Sequence, residues 1–198
     1  LNHSIRLGRW INLRVNEQKI HVSDNRIHVA AALLNVVLNH HHAVVVLIGN
    51  NLPSSAAALM RSLFETYIKG LWLRRCATEV QFKRYLKDKD KTSFKKMVES
   101  VELLPEFGVG ILGSISGKMW SAMNSYTHSG INQIARHMTE DSVETHFEDD
   151  EQIEMLLFAD TFAIMTIAEI SRVANNETLA NEALEQMTAL PEPSLPLD

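Results

Sequence analysis

The sequence is poor in cysteine, proline and glycine, and each shortage excludes a class of protein. Its one cysteine, Cys76, cannot form a disulfide bond within the chain, which is typical of proteins in a reducing compartment, so we expect a cytoplasmic location. Five prolines and eight glycines in 198 residues exclude collagen-like and low-complexity chains. Because 45% of the residues are hydrophobic and 22% are charged, intrinsic disorder is excluded too, and a globular protein is expected.

Long uninterrupted hydrophobic runs are also absent. The first ten residues contain no apolar run of signal-peptide length. The longest apolar stretch, residues 27–48, approaches the length of a membrane span, but four consecutive polar residues at 39–42 interrupt it. Placing those residues in hydrocarbon would be costly, so the stretch predicts a buried central helix and no membrane partner.

Each half of the chain has few charged residues of one sign. Residues 1–100 hold 16 of the 19 Lys and Arg residues and 7 of the 24 Asp and Glu residues, whereas residues 101–198 hold 3 and 17. The charges concentrate in a basic block at 83–96 and an acidic block at 140–154. The basic block can attract a polyanion such as RNA, and the acidic block can repel one or neutralise the basic block. The sequence leaves these alternatives open.

Apolar residues recur at helical spacing along most of the chain. Three long helices form the predicted core: residues 23–49, 54–77 and 148–176. Shorter helices are predicted in these segments: two within 81–96, one from 114 or 116 to 127, and one over 177–189. We therefore predict an all-α, single-domain bundle of six to eight helices over residues 1–190, followed by a Pro-rich tail over 191–198.

Metal and cofactor signatures are missing. The chain has no His-Glu-x-x-His, Glu-x-x-His or cysteine pair, and the consecutive histidines 40–42 would point about 100° apart on a helix. Residues 108–113 match G-x-G-x-x-G, but Pro105 interrupts the strand that a dinucleotide site needs before this motif. We therefore predict no metal and no cofactor. The alternative is that one of the three histidines joins a site with other helices.

Two short segments carry the residues best suited to chemistry. Arg61 and Glu65 stand four residues apart, so on a helix the carboxylate lies one turn from the guanidinium and can hold it. An Arg held in this way can present its donors to a phosphate, and His128, at a predicted helix end, can give or take a proton near neutral pH. These segments predict a site that binds or cleaves a phosphodiester without metal. A network of hydrogen bonds that only joins helices is the alternative.

A strongly basic run follows the second long helix. Five of its residues are predicted to contact nucleic acid: Lys83, Arg84, Lys87, Lys91 and Lys95. The aromatic residues among them, Phe82, Tyr85 and Phe94, are spaced as anchors to the core rather than as platforms for base stacking. A solvated surface with no nucleic acid partner is the alternative.

The stretch from Arg61 to Glu65, followed well downstream by Tyr126-Thr127-His128, resembles the recurring pattern of a group of uncharacterised bacterial all-helical proteins of about this length. More distantly, the arrangement is similar to the HEPN superfamily, helical bundles that often dimerise and include metal-independent RNases. The catalytic motif of that superfamily is an Arg followed, after four to six residues, by a His. Asn124 and His128 fit this frame, and Met123 occupies the Arg position.

The resemblance implies a HEPN-like protein of toxin or phage-defence type that acts as a metal-independent endoribonuclease. It implies that His128 is the general acid and base, that Arg61 stabilises phosphate charge from another helix, and that Glu65 orients Arg61. Asn124 and Tyr126 would support them. The implied partners are a second copy of the chain, RNA, and a cognate antitoxin or regulatory protein. The alternative is a non-catalytic helical interaction module in which these residues only hold helices together.

Overall fold

The structure, a computed structural model, describes residues 1–18, 24–108, 110–139 and 141–191. These residues form nine α-helices and no strand, which confirms the predicted all-α bundle. In chain order the helices are α1 (Asn2–Glu17), α2 (Asn25–Gly49), α3 (Pro53–Arg75), α4 (Glu79–Tyr85), α5 (Phe94–Glu102), α6 (Ile111–Thr127), α7 (Ile131–Ala135), α8 (Asp149–Ala174) and α9 (Glu177–Thr188).

Helices α2, α3 and α8 form the centre of the bundle, as predicted. Asp24 caps the N-terminus of α2 by accepting a hydrogen bond from the backbone N–H of Arg26. A tight turn follows α2, with Asn51 at φ +59°, and Pro53 then begins α3 at a position that needs no backbone N–H donor. The short turn makes α2 and α3 antiparallel neighbours, and both helices pack on α8.

The apolar character of α2 serves the core. By length and composition α2 could cross a membrane. This is weak evidence, because the core helix of a globular protein has the same length and composition. Its Leu34, Val37 and Val44 are almost completely buried. From the neighbouring helices, Phe64 of α3 and Phe162 of α8 meet edge to face, with ring centroids 5.3 Å apart. Helix α2 therefore packs at the centre of the bundle, as predicted, but only 39% of its most apolar stretch of 18 residues is buried.

Helices α1 and α7 were not predicted, which is why the described residues hold more than six to eight helices. Helix α1 buries a narrow stripe that includes Leu7 and Ile11, four residues apart, at its contacts with α8 and α2. Near its end, Arg14 donates from Nε to Glu182 of α9 at 2.6 Å. Helix α7 has five residues, none of them buried. Neither helix shows the broad apolar face by which the long helices were recognised.

The short helices around the basic block begin and end at local capping residues. Thr78 and Gln81 form a capping box at the start of α4, and the side chain of Ser93 caps α5. These are the two short helices expected within 81–96, displaced by a few residues. The predicted tail, apart from Pro191, lies outside the described residues, as do Ser23, the first residue of the helix predicted over 23–49, and, in the acidic block, Glu140.

Helix α6 lies at the edge of the bundle against α3 and α5. Of its 17 residues only Leu112 and Met123 are buried. It begins at Ile111, earlier than predicted, because Gly110 takes the left-handed conformation at φ +86°, which glycine adopts without strain, and turns the chain into the helix. The C-terminal end of α6 lies at the surface beside α3.

Candidate functional site

Glu65 holds two cationic side chains on the surface of α3. The guanidinium of Arg61 donates from Nε to Oε1 at 2.8 Å, and Lys69 Nζ donates to Oε2 at 3.0 Å. Burial alone raises the pKa of Glu65, but the hydrogen bonds from Lys69 and Arg61 outweigh this effect and hold that pKa below the usual glutamate value. Glu65 therefore stays ionised at neutral pH and fixes Arg61 in place.

The end of α6 brings Asn124 and His128 to Arg61. His128 follows the last residue of α6, and its backbone N–H donates to the carbonyl of Asn124 at 3.1 Å. Arg61 Nη1 lies 2.9 Å from His128 Nε2 and also donates to Oδ1 of Asn124. Thr127 Oγ1, 3.3 Å from the carbonyl oxygen of Ala58, joins this end of α6 to α3. Two helices that are far apart in sequence therefore meet at one group of polar side chains.

Arg61 fixes the tautomer of His128. A guanidinium has donors only, so Nε2 of His128 must accept this hydrogen bond and carries no proton, which leaves the ring proton on Nδ1. The side chains of Arg61 and Glu65 are about one-fifth exposed (21% and 20%), and His128 and Asn124 are exposed, so solutes reach the group from solvent. A neutral imidazole beside a cation is suited to act as a general base next to an anion-binding group.

Trp120 is a site residue that the sequence reasoning missed. The guanidinium carbon of Arg61 lies over its ring, 4.6 Å from the centroid. The ring also stacks on Phe94 of α5, with centroids 4.7 Å apart and planes inclined by 18°. Trp120, Asn124 and His128 follow at intervals of four residues and share one face of α6, which is the signal that could have identified Trp120.

Tyr126 does not join this group. Its ring centroid lies 6.1 Å from that of Phe147, and the side chain lines a separate cavity of about 230 Å³ between α3, α6 and α8. Met123, at the position that the HEPN motif gives to Arg, is 3% exposed and lines the same cavity. An Arg at that position would point into this cavity, whose lining is mostly apolar but includes Lys118, Glu151 and Glu154. The guanidinium that reaches His128 is therefore the one supplied by Arg61 of α3.

The five residues predicted to bind nucleic acid are all exposed. They are Lys83 and Arg84 on α4, Lys87 and Lys91 between α4 and α5, and Lys95 on α5. Two of them form ion pairs with neighbours four residues away: Lys83 with Glu79 at 3.4 Å, and Lys95 with Glu99 at 3.9 Å. Exposed pairs of this kind contribute little to stability and leave the lysines accessible to solutes.

The acidic block does not pair directly with the basic block. Its Glu151 pairs with Arg136, and its Glu148 lies 2.9 Å from His146. Among the described residues of one chain, no ion pair joins residues 83–96 to residues 141–154. The charge division seen in the sequence therefore persists on the surface of the folded chain.

A groove of about 790 Å³ lies between α5 and α6. Its α5 wall includes Lys95, Glu99 and Glu102, and its α6 wall includes the small residues Gly113 and Gly117. Trp120 lines the groove and also contacts Arg61, so this ring lies between the groove and the Arg61–His128 group.

The three consecutive histidines point in different directions, as neighbours on a helix must. His41 is buried, His40 is partly buried and His42 is exposed. In the part of the chain that the structure describes, no group of three or more His, Cys, Asp or Glu side chains is placed to hold a metal ion. His41 instead contacts Asp160 of α8, with Nε2 2.7 Å from Oδ1.

The chain matches the model of a family of unknown function (DUF6988) over residues 34–192. The matched segment contains every residue of the Arg61–His128 group and excludes α1 and the first part of α2. No curated protein and no solved structure matches the chain. The similarity to the HEPN superfamily stays a prediction from the motifs.

Proposed function

The chain belongs to the family of unknown function DUF6988, and we propose that it is a HEPN-like, metal-independent endoribonuclease of toxin or phage-defence type. The observation that carries the proposal is the hydrogen bond of 2.9 Å between Arg61 and His128 at the protein surface. The contact supports the proposal because an imidazole nitrogen can accept a proton and a guanidinium can bind a phosphate. The 2′-hydroxyl group of RNA can attack the adjacent phosphorus when a base removes its proton and a cation stabilises the charge on the phosphate.

In the proposed reaction, RNA replaces the hydrogen bond between Arg61 and His128. A phosphate oxygen accepts from Nη1 of Arg61, and Nε2 of His128 becomes available to remove the proton of the 2′-hydroxyl. The 2′-oxygen forms a bond to phosphorus while the bond from phosphorus to the 5′-oxygen breaks, and the departing oxygen takes a proton from water. The hydroxide that remains removes the proton from His128, which restores the neutral imidazole. The products are a 2′,3′-cyclic phosphate and a 5′-hydroxyl.

The contacts of Arg61 favour this role because they hold its donors in place before RNA binds. Glu65 fixes Nε, Asn124 accepts from Nη1, and the ring of Trp120 supports the guanidinium plane. Donors that are already oriented stabilise the charge of a transition state without the cost of reorganisation. Lys69, on the same carboxylate, adds a second positive charge nearby.

The exposed basic block supports RNA as the substrate. Its residues lie on α4, in the segment before α5 and at the start of α5, where Lys95 lines the same groove as Trp120. Phosphate contacts from such residues contribute affinity that does not depend on base sequence. In this proposal the basic block binds the RNA backbone and the Arg61–His128 group cleaves it.

The proposal includes two protein partners, a second copy of the chain and a cognate antitoxin or regulatory protein. Three large apolar side chains in the segment that follows His128 are exposed: Ile131 (74%), Met138 (62%) and Val143 (84%). Exposed apolar side chains that recur in one segment fit a region that another protein covers. The acidic block lies on the neighbouring segment and offers complementary charge to the basic block of a second copy.

We expect the purified chain to cleave single-stranded RNA of mixed sequence in the presence of EDTA. His128→Ala is expected to lower the cleavage rate by about 10²–10⁴-fold, because it removes the proton acceptor. Gel electrophoresis of end-labelled RNA measures the rate. His146→Ala is the matched control, since His146 is also exposed but pairs with Glu148, outside the Arg61–His128 group. It is expected to cleave at the wild-type rate.

Two outcomes would contradict the proposal. Equal cleavage by the wild type, His128→Ala and His146→Ala would identify a contaminating nuclease. A wild-type chain that leaves RNA intact, while His128→Ala lowers only the stability of the fold, would support the non-catalytic helical module instead.

A further inference from the structure

Three buried polar side chains from α1, α2 and α8 form a cluster that the proposed reaction does not use. Ser4 Oγ donates to Oδ2 of Asp160 at 2.8 Å, and His41 Nε2 lies 2.7 Å from Oδ1 of the same carboxylate. Each of the three residues is at most 2% exposed. Each carboxylate oxygen of Asp160 therefore has a hydrogen-bond partner.

His41 is oriented by this contact. The carboxylate of Asp160 accepts, so Nε2 of His41 carries a proton, and Nδ1 is the nitrogen left to bind another group. Among the described residues, the side-chain hydrogen bond of His41 is the one from Nε2. The buried side-chain atoms that lack a partner in this part of the chain are Nε2 of His3 and Oε1 of Gln133, so Nδ1 of His41 is not sealed in the core and is open to a ligand or a water molecule.

The His41 ring lines a cavity of about 380 Å³ between α1 and α2. Ile5, Val45 and Val46 form apolar wall, and Arg9 lies at its exposed side. In the described part of the chain, the lining contains no Asp or Glu. A cavity of this size with apolar walls and a few convergent polar groups is typical of a small-molecule site.

We propose that this cavity binds a small organic acid with an apolar chain. The chain packs on Ile5, Val45 and Val46, and the acid group meets Nδ1 of His41 and the guanidinium of Arg9. One proton lies between the acid group and Nδ1, so the imidazole ring bridges the ligand and Asp160. Because the walls are apolar and the available charge is positive, the site favours an acid over an alcohol or an amine of equal length.

Octanoate, octanol and octylamine are the probes that test this assignment. They share an apolar chain and differ in the head group. We expect isothermal titration calorimetry of the full chain to show octanoate binding at least tenfold more tightly than octanol, and no binding of octylamine. Equal affinity for octanoate and octanol, or no heat from octanoate at millimolar concentration, would overturn the proposal.

Two variants locate the binding site. Gly8 lines the cavity, and a Cβ atom there would lie at an ordinary contact distance of 3.7 Å from Cε1 of His41. Gly8→Leu is therefore expected to fill the cavity and abolish octanoate binding. The substitution also favours helix α1, because leucine has a higher helix propensity than glycine. Arg9→Met is expected to weaken octanoate binding at least tenfold and to leave octanol binding unchanged. Arg6→Met, an exposed residue of α1 outside the cavity lining, is the control for Arg9→Met. Undiminished octanoate binding by both Gly8→Leu and Arg9→Met would place the ligand elsewhere and contradict the proposal.

Discussion

Replacing Arg61 by methionine is expected to lower the rate of RNA cleavage by about 10²–10³-fold, as the loss of one oriented donor to a transition state does in other enzymes. Methionine keeps much of the apolar stem but removes the donors that reach His128 and Asn124. Arg61→Lys is expected to restore little of the rate, because an ammonium group cannot present the planar fork that contacts Glu65 and His128 at the same time.

Single-turnover kinetics measure this effect, and circular dichroism shows that each variant is folded. Lys69 continues to pair with Glu65 in both variants, so α3 keeps a partner for that carboxylate. Arg6→Met, on the surface of α1, is expected to cleave RNA at the wild-type rate. If Arg61→Lys cleaved RNA as fast as the wild type, the geometry of the guanidinium would be irrelevant, and the role assigned to Arg61 would be wrong.

Replacing Asp160 by alanine is expected to reduce the free energy of unfolding by about 2–6 kcal/mol, because two buried groups lose their hydrogen-bond acceptor and each costs about 1–3 kcal/mol when left unsatisfied. The substitution leaves His41 and Ser4 buried without their common acceptor. A globular domain is stable by only about 5–15 kcal/mol, so this single change brings the chain close to unfolding. Urea denaturation followed by circular dichroism measures the loss.

Ser4→Ala is the control for this prediction. It removes one hydrogen bond to Asp160 but leaves the contact with His41, so we expect a loss of about 1 kcal/mol. A loss below about 1 kcal/mol for Asp160→Ala would mean that the cluster relaxes or admits water. That result would contradict the rigid arrangement on which the orientation of His41 depends.

The helices that could be predicted from the sequence are those with broad apolar faces. In α3, residues such as Leu63, Phe64 and Leu71 recur at helical spacing, and all three are buried. Helix α1 was not predicted because its buried stripe is narrow and most of its other residues are polar. Secondary structure is thus predictable where the local pattern is strong, whereas a narrow stripe becomes meaningful only once a neighbouring helix is present.

The site was predictable only in its local parts. The spacing of Arg61 and Glu65 on α3 follows from helix geometry, and so does that of Asn124 and His128 on α6. That these two helices meet depends on packing between residues more than sixty positions apart, which local spacing cannot determine. The same geometry separates Tyr126 from the group, since it lies on a different face of α6.

The buried cluster of Ser4, His41 and Asp160 was missed for the same reason. Its hydrogen bonds join residues 156 and 119 positions apart. A weak local signal exists, because Asp160 stands within an apolar part of α8, where an ionised side chain needs a partner. The sequence does not say which of the consecutive histidines is that partner. Only the packing of α2 on α8 selects His41.

The chemical nature of the RNA ends tests the central claim most directly. Mass spectrometry of the fragments formed in the presence of EDTA is expected to show 2′,3′-cyclic phosphate and 5′-hydroxyl ends from the wild type, and no such fragments above background from His128→Ala. An RNA with a single 2′-deoxy nucleotide at the cleaved linkage is expected to resist cleavage there. Fragments with 3′-hydroxyl and 5′-phosphate ends, or cleavage at the 2′-deoxy linkage, would contradict attack by the 2′-hydroxyl at the Arg61–His128 group.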